Sequence, residues 1–127
     1  HLLGSGVRFG KADGVMVAGE GLETLLSLRQ VMPSMPMIAG LSAAHLAAIH
    51  FPVDLRCLYV ARDDDPAGAT ALSTLIERCE PFGIAVLPLE PRLDDFNSDL
   101  TAYGHVRLAA AIRVQLSAAD AVRFLKE

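Results

Sequence analysis

Short apolar runs alternate with amphipathic stretches along this chain, and that alternation limits the folds open to it more than any other feature. Val15-Met16-Val17-Ala18 is apolar without interruption, as in a strand buried on both faces of a sheet. Leu22, Leu25, Leu26 and Leu28 to Met32 then recur with helical spacing until Pro33 stops them. Met35 to Ala39 reads as a second strand, and Ser42 as the cap of a short helix from Ala43 to His50 that Pro52 closes. Leu55 to Ala61 is the third strand and the strongest. Pro66 opens a long helix with an apolar face of Leu72, Leu75, Ile76 and Cys79, and Gly83 breaks it before a strand from Ile84 to Leu87. Three βα units and a further strand predict an α/β fold with a central, mainly parallel four-stranded sheet flanked by helices. Ahead of them, Val7 and Phe9 flank Arg8 in a short alternating run, and Asp13-Gly14 reads as a turn. The tail, residues 98–127, is expected to be helical, with breaks at Gly104 and near Ser117. No repeat, low-complexity stretch or linker divides the chain, so residues 1–127 read as one domain. It begins with His1 rather than Met, which reads as a piece of a longer protein.

At 52% hydrophobic residues the chain can form a core, which excludes disorder. Arg, Asp, Gly or Pro interrupts every apolar run well short of the ~18–20 residues of a bilayer span, and no secretory signal is evident, so no membrane partner is expected. The two cysteines, Cys57 and Cys79, lie in apolar strand and helix patterns without CxxC spacing. They read as buried free thiols of a reducing cytoplasm, and a cysteine metal site is excluded.

Net charge is −4, which by itself argues against a nucleic-acid partner. Its distribution argues the other way. Seven of the fifteen acids fall in three clusters: Glu20 with Glu23, Asp63 to Asp65, and Asp94 with Asp95. Without those seven the balance is +3. In open parallel sheets the functional crevice lies at the carboxyl ends of the strands, and each cluster falls there. Glu20 follows the first strand of the βα series, Asp63 and Asp65 the third, and Asp95 the fourth. Each has a structural reading as well: Asp65 before Pro66 is a helix cap, Glu20 favours the positive end of its helix, and Asp95 is a turn former with Asn97 or Ser98 capping the next helix. Three adjacent aspartates, however, repel one another unless a cation screens them. Convergence of all three clusters on one rim is the main functional signal.

Spacing excludes several cation and nucleotide motifs. An EF-hand loop from Asp63 lacks a ligand at Ala67 and a Glu at Thr74, and Pro66 opposes it. A phosphorylated receiver needs a lysine late in the sheet, and none lies between Lys11 and Lys126. Gly4-Ser5-Gly6 with Gly10 precedes its strand and reads as a turn rather than a dinucleotide loop, and there is no GxxxxGK[ST] loop.

Val17-Ala18-Gly19-Glu20-Gly21-Leu22-Glu23-Thr24 resembles the strand–Glu–Gly motif of the TOPRIM domain of bacterial primases, topoisomerases and some nucleases. Val60-Ala61-Arg62-Asp63-Asp64-Asp65-Pro66-Ala67-Gly68 resembles its DxD motif with the trailing Ala-Gly, and Asp94-Asp95-Phe96-Asn97 its third acidic motif. The Asp-Phe-Asn form is similar to that of plasmid- and phage-borne primase-like proteins. So are Gly6-Val7-Arg8-Phe9-Gly10, Leu41-Ser42-Ala43, and Gln115-Leu116 with Asp120. The chain departs from the pattern at Ser98, where the family often has another acid, and at Asp64, where Gly or Asn is more usual.

The resemblance implies a Rossmann-like TOPRIM domain and Mg²⁺, with Mn²⁺ as the substitute. Metal ligands would be Glu20, Asp63, Asp65 and Asp95, with Glu20, Asp63 and Asp65 catalytic. It implies nucleotidyl transfer in a primase-like parent, with single-stranded DNA template and nucleotides as substrates, and the parent's other domains and a helicase as partners. Glu20 would organise metal or act as general acid/base. Arg8 and Arg62 are the candidates for nucleic-acid phosphate contacts. The alternatives are a metal-dependent TOPRIM nuclease and a module that binds metal or DNA without catalysis. Topoisomerase chemistry is not expected, since Tyr59 is mid-strand and Tyr103 lies in the tail.

Overall fold

The computed structural model describes residues 7–9, 14–40, 42–52 and 54–125. Five strands form one sheet in the order β1-β3-β2-β4-β5: β1 Val7–Phe9, β2 Val15–Gly19, β3 Met37–Ala39, β4 Cys57–Ala61 and β5 Ala85–Leu89. The four strands from β2 to β5 pair in parallel, as the βα alternation predicts, and β1 adds an antiparallel edge with Arg8 opposite Ile38. Helices α1 (Leu22–Val31), α4 (Phe96–Arg113) and α5 (Ala118–Phe124) cover one face, where Leu25, Leu28, Tyr59, Phe96, Ile112 and Phe124 are buried together. Helices α2 (Ala43–Ala47) and α3 (Pro66–Cys79) cover the other, against Ile38, Leu58 and Val60. The central strands β2 and β4 are therefore buried on both sides, which is why their sequences are apolar without alternation. No helix among the described residues is long and apolar enough to cross a membrane.

Several boundaries differ from the sequence reading, each for a local reason. The last strand runs through Pro88 to Leu89 instead of stopping at Leu87. Ala85 N–H donates to the Arg56 carbonyl and Arg62 N–H to the Leu89 carbonyl, so the odd-numbered residues bond β4. Pro88 points its missing donor outward, where an edge strand tolerates it and is protected from further pairing. Helix α2 ends at Ala47 rather than His50, because Ala48 and Ile49 bond the carbonyls of His45 and Leu46 in tighter, three-residue turns. Ser42 caps it as expected, accepting from His45 N–H at 3.1 Å. Gly104 interrupts α4 at φ +81°, a left-handed conformation that glycine adopts without penalty, and Ser117 caps α5. The Gly4-Ser5-Gly6 turn, Gly10, Lys11, Asp13, Leu41 and Lys126 lie outside the described residues.

Cys79 is buried, whereas Cys57, the first residue of β4, is only half-buried; both thiols are free. Burial pushes both up from the usual thiol value, and Asp120 reinforces this at Cys57. The tail residues of the resemblance have packing roles. Tyr59 donates to Asp120 Oδ2 at 2.6 Å and accepts from Ser117 N–H at 3.0 Å, fastening α5 to the middle of β4, while Leu116 fills the core.

Candidate metal centre

Helices α1, α3 and α4 begin at the carboxyl ends of parallel strands, and Glu20, Asp63 to Asp65, and Asp94 with Asp95 lie just before them. Glu20 directly follows β2. Asp63 and Asp65 lie in the connection from β4 to α3, and Asp95 in that from β5 to α4. One carboxylate oxygen each from Glu20, Asp63 and Asp65 lie within 4.8 Å of one another. The β2–β4 register, with Gly19 opposite Ala61, delivers Glu20 and Asp63 side by side.

Asp65 combines two roles that the sequence posed as alternatives. Its side chain caps α3 by accepting from Gly68 N–H at 2.6 Å, and it still belongs to the three-acid group. The Asp63 carbonyl packs against Gly68 so closely that a Cβ there would stand 2.6 Å from it. The small residue after Asp-Asp-Asp-Pro-Ala is thus required by the fold of the acidic loop itself. Asp95, not Asn97 or Ser98, caps α4, accepting from Ser98 N–H at 2.7 Å. Cap geometry wants an extended residue before the first turn, and Asp95 has that backbone at φ −154°. Asp95 stays outside the group of three but is near enough to act on Asp63 through its charge.

Asp63 bears the strain of this arrangement. Its carboxyl is pushed up from the ordinary 3.8 to about 6, first by partial burial and then by Glu20, Asp65 and Asp95. Thr24 opposes the shift: its Oγ1 donates to Asp63 Oδ1 at 3.5 Å. The positive ends of α1, α3 and α4 offset part of the repulsion, since helix N-termini favour negative charge. What remains is a set of hard oxygen donors with excess negative charge, the donor chemistry of a hard divalent cation.

The Toprim domain profile matches residues 15–105. The chain belongs to the Toprim domain family. No curated protein matches its sequence. In fold it is similar to the crystal structure of the Aquifex aeolicus primase, zinc-binding and RNA polymerase domains, at a TM-score of 0.58 and 19% identity. The likeness covers 81% of this chain and 26% of that one, so this chain matches about a quarter of the length of the chain in that structure. The Toprim match begins at β2 and ends just past the Gly104 kink, so it includes all three acidic segments.

The arginine candidates fare differently from the acids. Arg62 follows β4 at the rim, where Nη1 pairs with Glu90 Oε1 at 3.0 Å and Nε is buried without a hydrogen-bond partner. Arg8 lies by its backbone on edge strand β1, separated by β3 and β2 from β4, the strand that leads to Asp63 and Asp65.

Of the four polar residues that support the site, Thr24 and Gln115 figure in the sequence reading only as parts of the resembling motifs, and Ser27 and Asp99 do not figure in it. Thr24 and Ser27 are almost fully buried on α1; Ser27 Oγ donates to the Glu23 carbonyl and lies 3.2 Å from Asn97 Oδ1, joining α1 to α4. Asp99 is 1% exposed, and its two oxygens accept from Arg92 and Leu93 N–H at 2.7 and 2.8 Å, folding the loop that carries Asp94 and Asp95. Gln115 brackets Glu90, accepting from its N–H at 2.7 Å and donating to its carbonyl at 3.0 Å. The available signal was small polar residues at helical spacing on an otherwise apolar face of α1, and a second acid four residues after a cap.

Proposed function

We propose that this chain is the metal-holding catalytic domain, 1–127, of a longer primase-like protein of the plasmid- and phage-borne type, acting in nucleotidyl transfer on DNA. The observation that carries the reading is the meeting of Glu20, Asp63 and Asp65 within 4.8 Å, from two strand ends, in a Toprim chain. Asp63 and Asp65, with Glu20 and Asp95 beside them, hold Mg²⁺, for which Mn²⁺ substitutes. The bound cation supplies charge neutralisation at phosphate oxygens and makes an attacking hydroxyl more acidic. Thr24 keeps the Asp63 carboxylate turned toward its neighbours, and the Asp65–Gly68 bond fixes the second ligand at the start of α3. Glu20, which like Asp63 caps no helix, holds the position from which a proton could be exchanged with a substrate hydroxyl. Arg62 at the rim and Arg8 on the edge strand are the proposed phosphate contacts. Template strand, nucleotides and a helicase are the partners this reading assigns to the parent protein.

Thermal melting at neutral pH with millimolar MgCl₂, against a matched ionic-strength control, tests the metal role. Occupancy at ten times the dissociation constant stabilises by about 1.4 kcal/mol. The expected result is a rise in melting temperature beyond the control that Asp63→Asn/Asp65→Asn abolishes. An equal response in the variant overturns the site. Incorporation of labelled nucleotide by the parent, without nicking of plasmid DNA, separates primer synthesis from nuclease activity.

A further inference from the structure

Beside the acidic rim, the carboxyl end of β5 leads into a surface of opposite character. An open hollow of about 650 Å³ is lined by Arg92, Arg107, Ala110, Ala111, Val114 and Gln115. It contains two cations and no acid. Arg92 and Arg107 are exposed, and neither is ion-paired among the described residues. The Arg92 guanidinium lies 5.0 Å from the centre of the Tyr103 ring, which holds it by a cation–π contact and leaves its donors free. Of the carboxylates near Arg92, Asp99 is buried with both oxygens occupied by the backbone of Arg92 and Leu93, and Glu90 pairs with Arg62. The alanines keep the floor low enough for a chain to lie close to the helix.

The hollow's position follows from two further contacts. Gln115 brackets Glu90, the residue after β5, so the end of α4 is pinned to the same edge of the sheet from which the acidic loops rise. Asp64 N–H donates to the Asp94 carbonyl at 2.9 Å, joining the DxD loop to the loop that carries Arg92. Sheet order puts β4 next to β5 and β2 beyond it; at about 4.8 Å per strand, β5 ends about 10 Å from the Glu20 strand.

We propose that Arg92 and Arg107 bind the phosphodiester backbone of a single strand of nucleic acid running along the flank of the acidic centre, with Ala110, Ala111 and Val114 beneath its sugars and bases. This rests on the nucleic-acid reading above and gives the strand a track on α4. A groove that joins cations to an apolar floor is the surface that sequence-tolerant single-strand binding uses.

Fluorescence anisotropy of labelled oligo-dT tests the track, titrated with the 127-residue chain in EDTA so that no cation bridges to the acids. Each lost phosphate contact removes about 0.7 from the salt slope, or roughly fivefold in affinity at 0.1 M salt. Arg92→Ala/Arg107→Ala should therefore weaken binding roughly 25-fold and lower the slope by about 1.4, while Arg113→Ala, at the neighbouring hollow lined by Gln30, Val31 and His105, changes neither. Equal binding by the double variant overturns the proposal, as does failure of the wild-type chain to bind oligo-dT. The Mg²⁺ melt of the double variant separates the two readings: it stays as in wild type even if the arginine track fails, whereas failure of the metal site leaves the anisotropy result intact.

Discussion

Two aspartates, Asp63 in the β4–α3 connection and Asp99 in the first turn of α4, show how the same side chain is used for opposite purposes. Asp99 is almost completely buried, and both of its oxygens are taken by backbone N–H groups within 2.8 Å. Asp63 is less buried, has one distant hydroxyl donor at 3.5 Å, and faces Glu20, Asp65 and Asp95. Asp99 is saturated by its own chain and has nothing left to offer. Asp63 is surrounded by groups that penalise its charge, and no cation among the described residues relieves it. Burial of an acid is therefore a poor guide to function, and what its oxygens touch is a good one. An acid satisfied by backbone donors builds the loop, and an acid facing other acids keeps its oxygens available.

The largest effect should come from removing the satisfied acid. Asp99→Ala deprives two N–H groups of charge-assisted partners and should cost about 2–3 kcal/mol in urea unfolding at pH 7. Asp63→Asn should cost nothing in the absence of divalent metal and should stabilise the chain at that pH. If both variants destabilise equally, the contrast between the two aspartates collapses.

A smaller effect is expected in the pH dependence of stability in EDTA. A carboxyl whose folded pKa is about 6 binds its proton more tightly folded than unfolded. Its contribution is fully present below about 3.8, the ordinary value, and is lost as pH rises through about 6. With water screening a half-exposed group, the loss should be about 1 kcal/mol in a series of urea titrations from pH 4 to 7. Asp63→Asn should remove that slope; its persistence would transfer the effect to another group.

The smallest effect sharpens the comparison from the Asp63 side. Thr24→Val deletes the long bond to Asp63 and should change stability by less than about 0.5 kcal/mol. The same change should move the Asp63 titration, followed by NMR of its carboxyl carbon, upward, since that bond favours the charged form. An unmoved titration would remove Thr24 from the support of the centre.

The acids of the candidate centre were legible in advance because strand ends announce themselves: an apolar run, then a carboxylate, then a helical repeat. Glu20, Asp63 and Asp65 are brought together as that pattern expects. Asp95 was legible as a member of the rim but not as the cap of α4, because Asn97 and Ser98 are equally good capping residues and only the path of the loop chooses among them. Arg62 was read for its charge, but Glu90 is distant in sequence and reaches it only through the pairing of β4 with β5.

Local periodicity thus determined the α/β class, the parallel order of strands and helices, the Gly104 and Ser117 breaks and the acidic segments, because each depends on residues a few positions apart. The tertiary structure decided which oxygens are free. Asp99 and Asp63 look alike in sequence, and so do Arg62 and Arg107. Whether such a charged group is spent or available depends on partners that the sheet order and the turn of α4 bring from far along the chain.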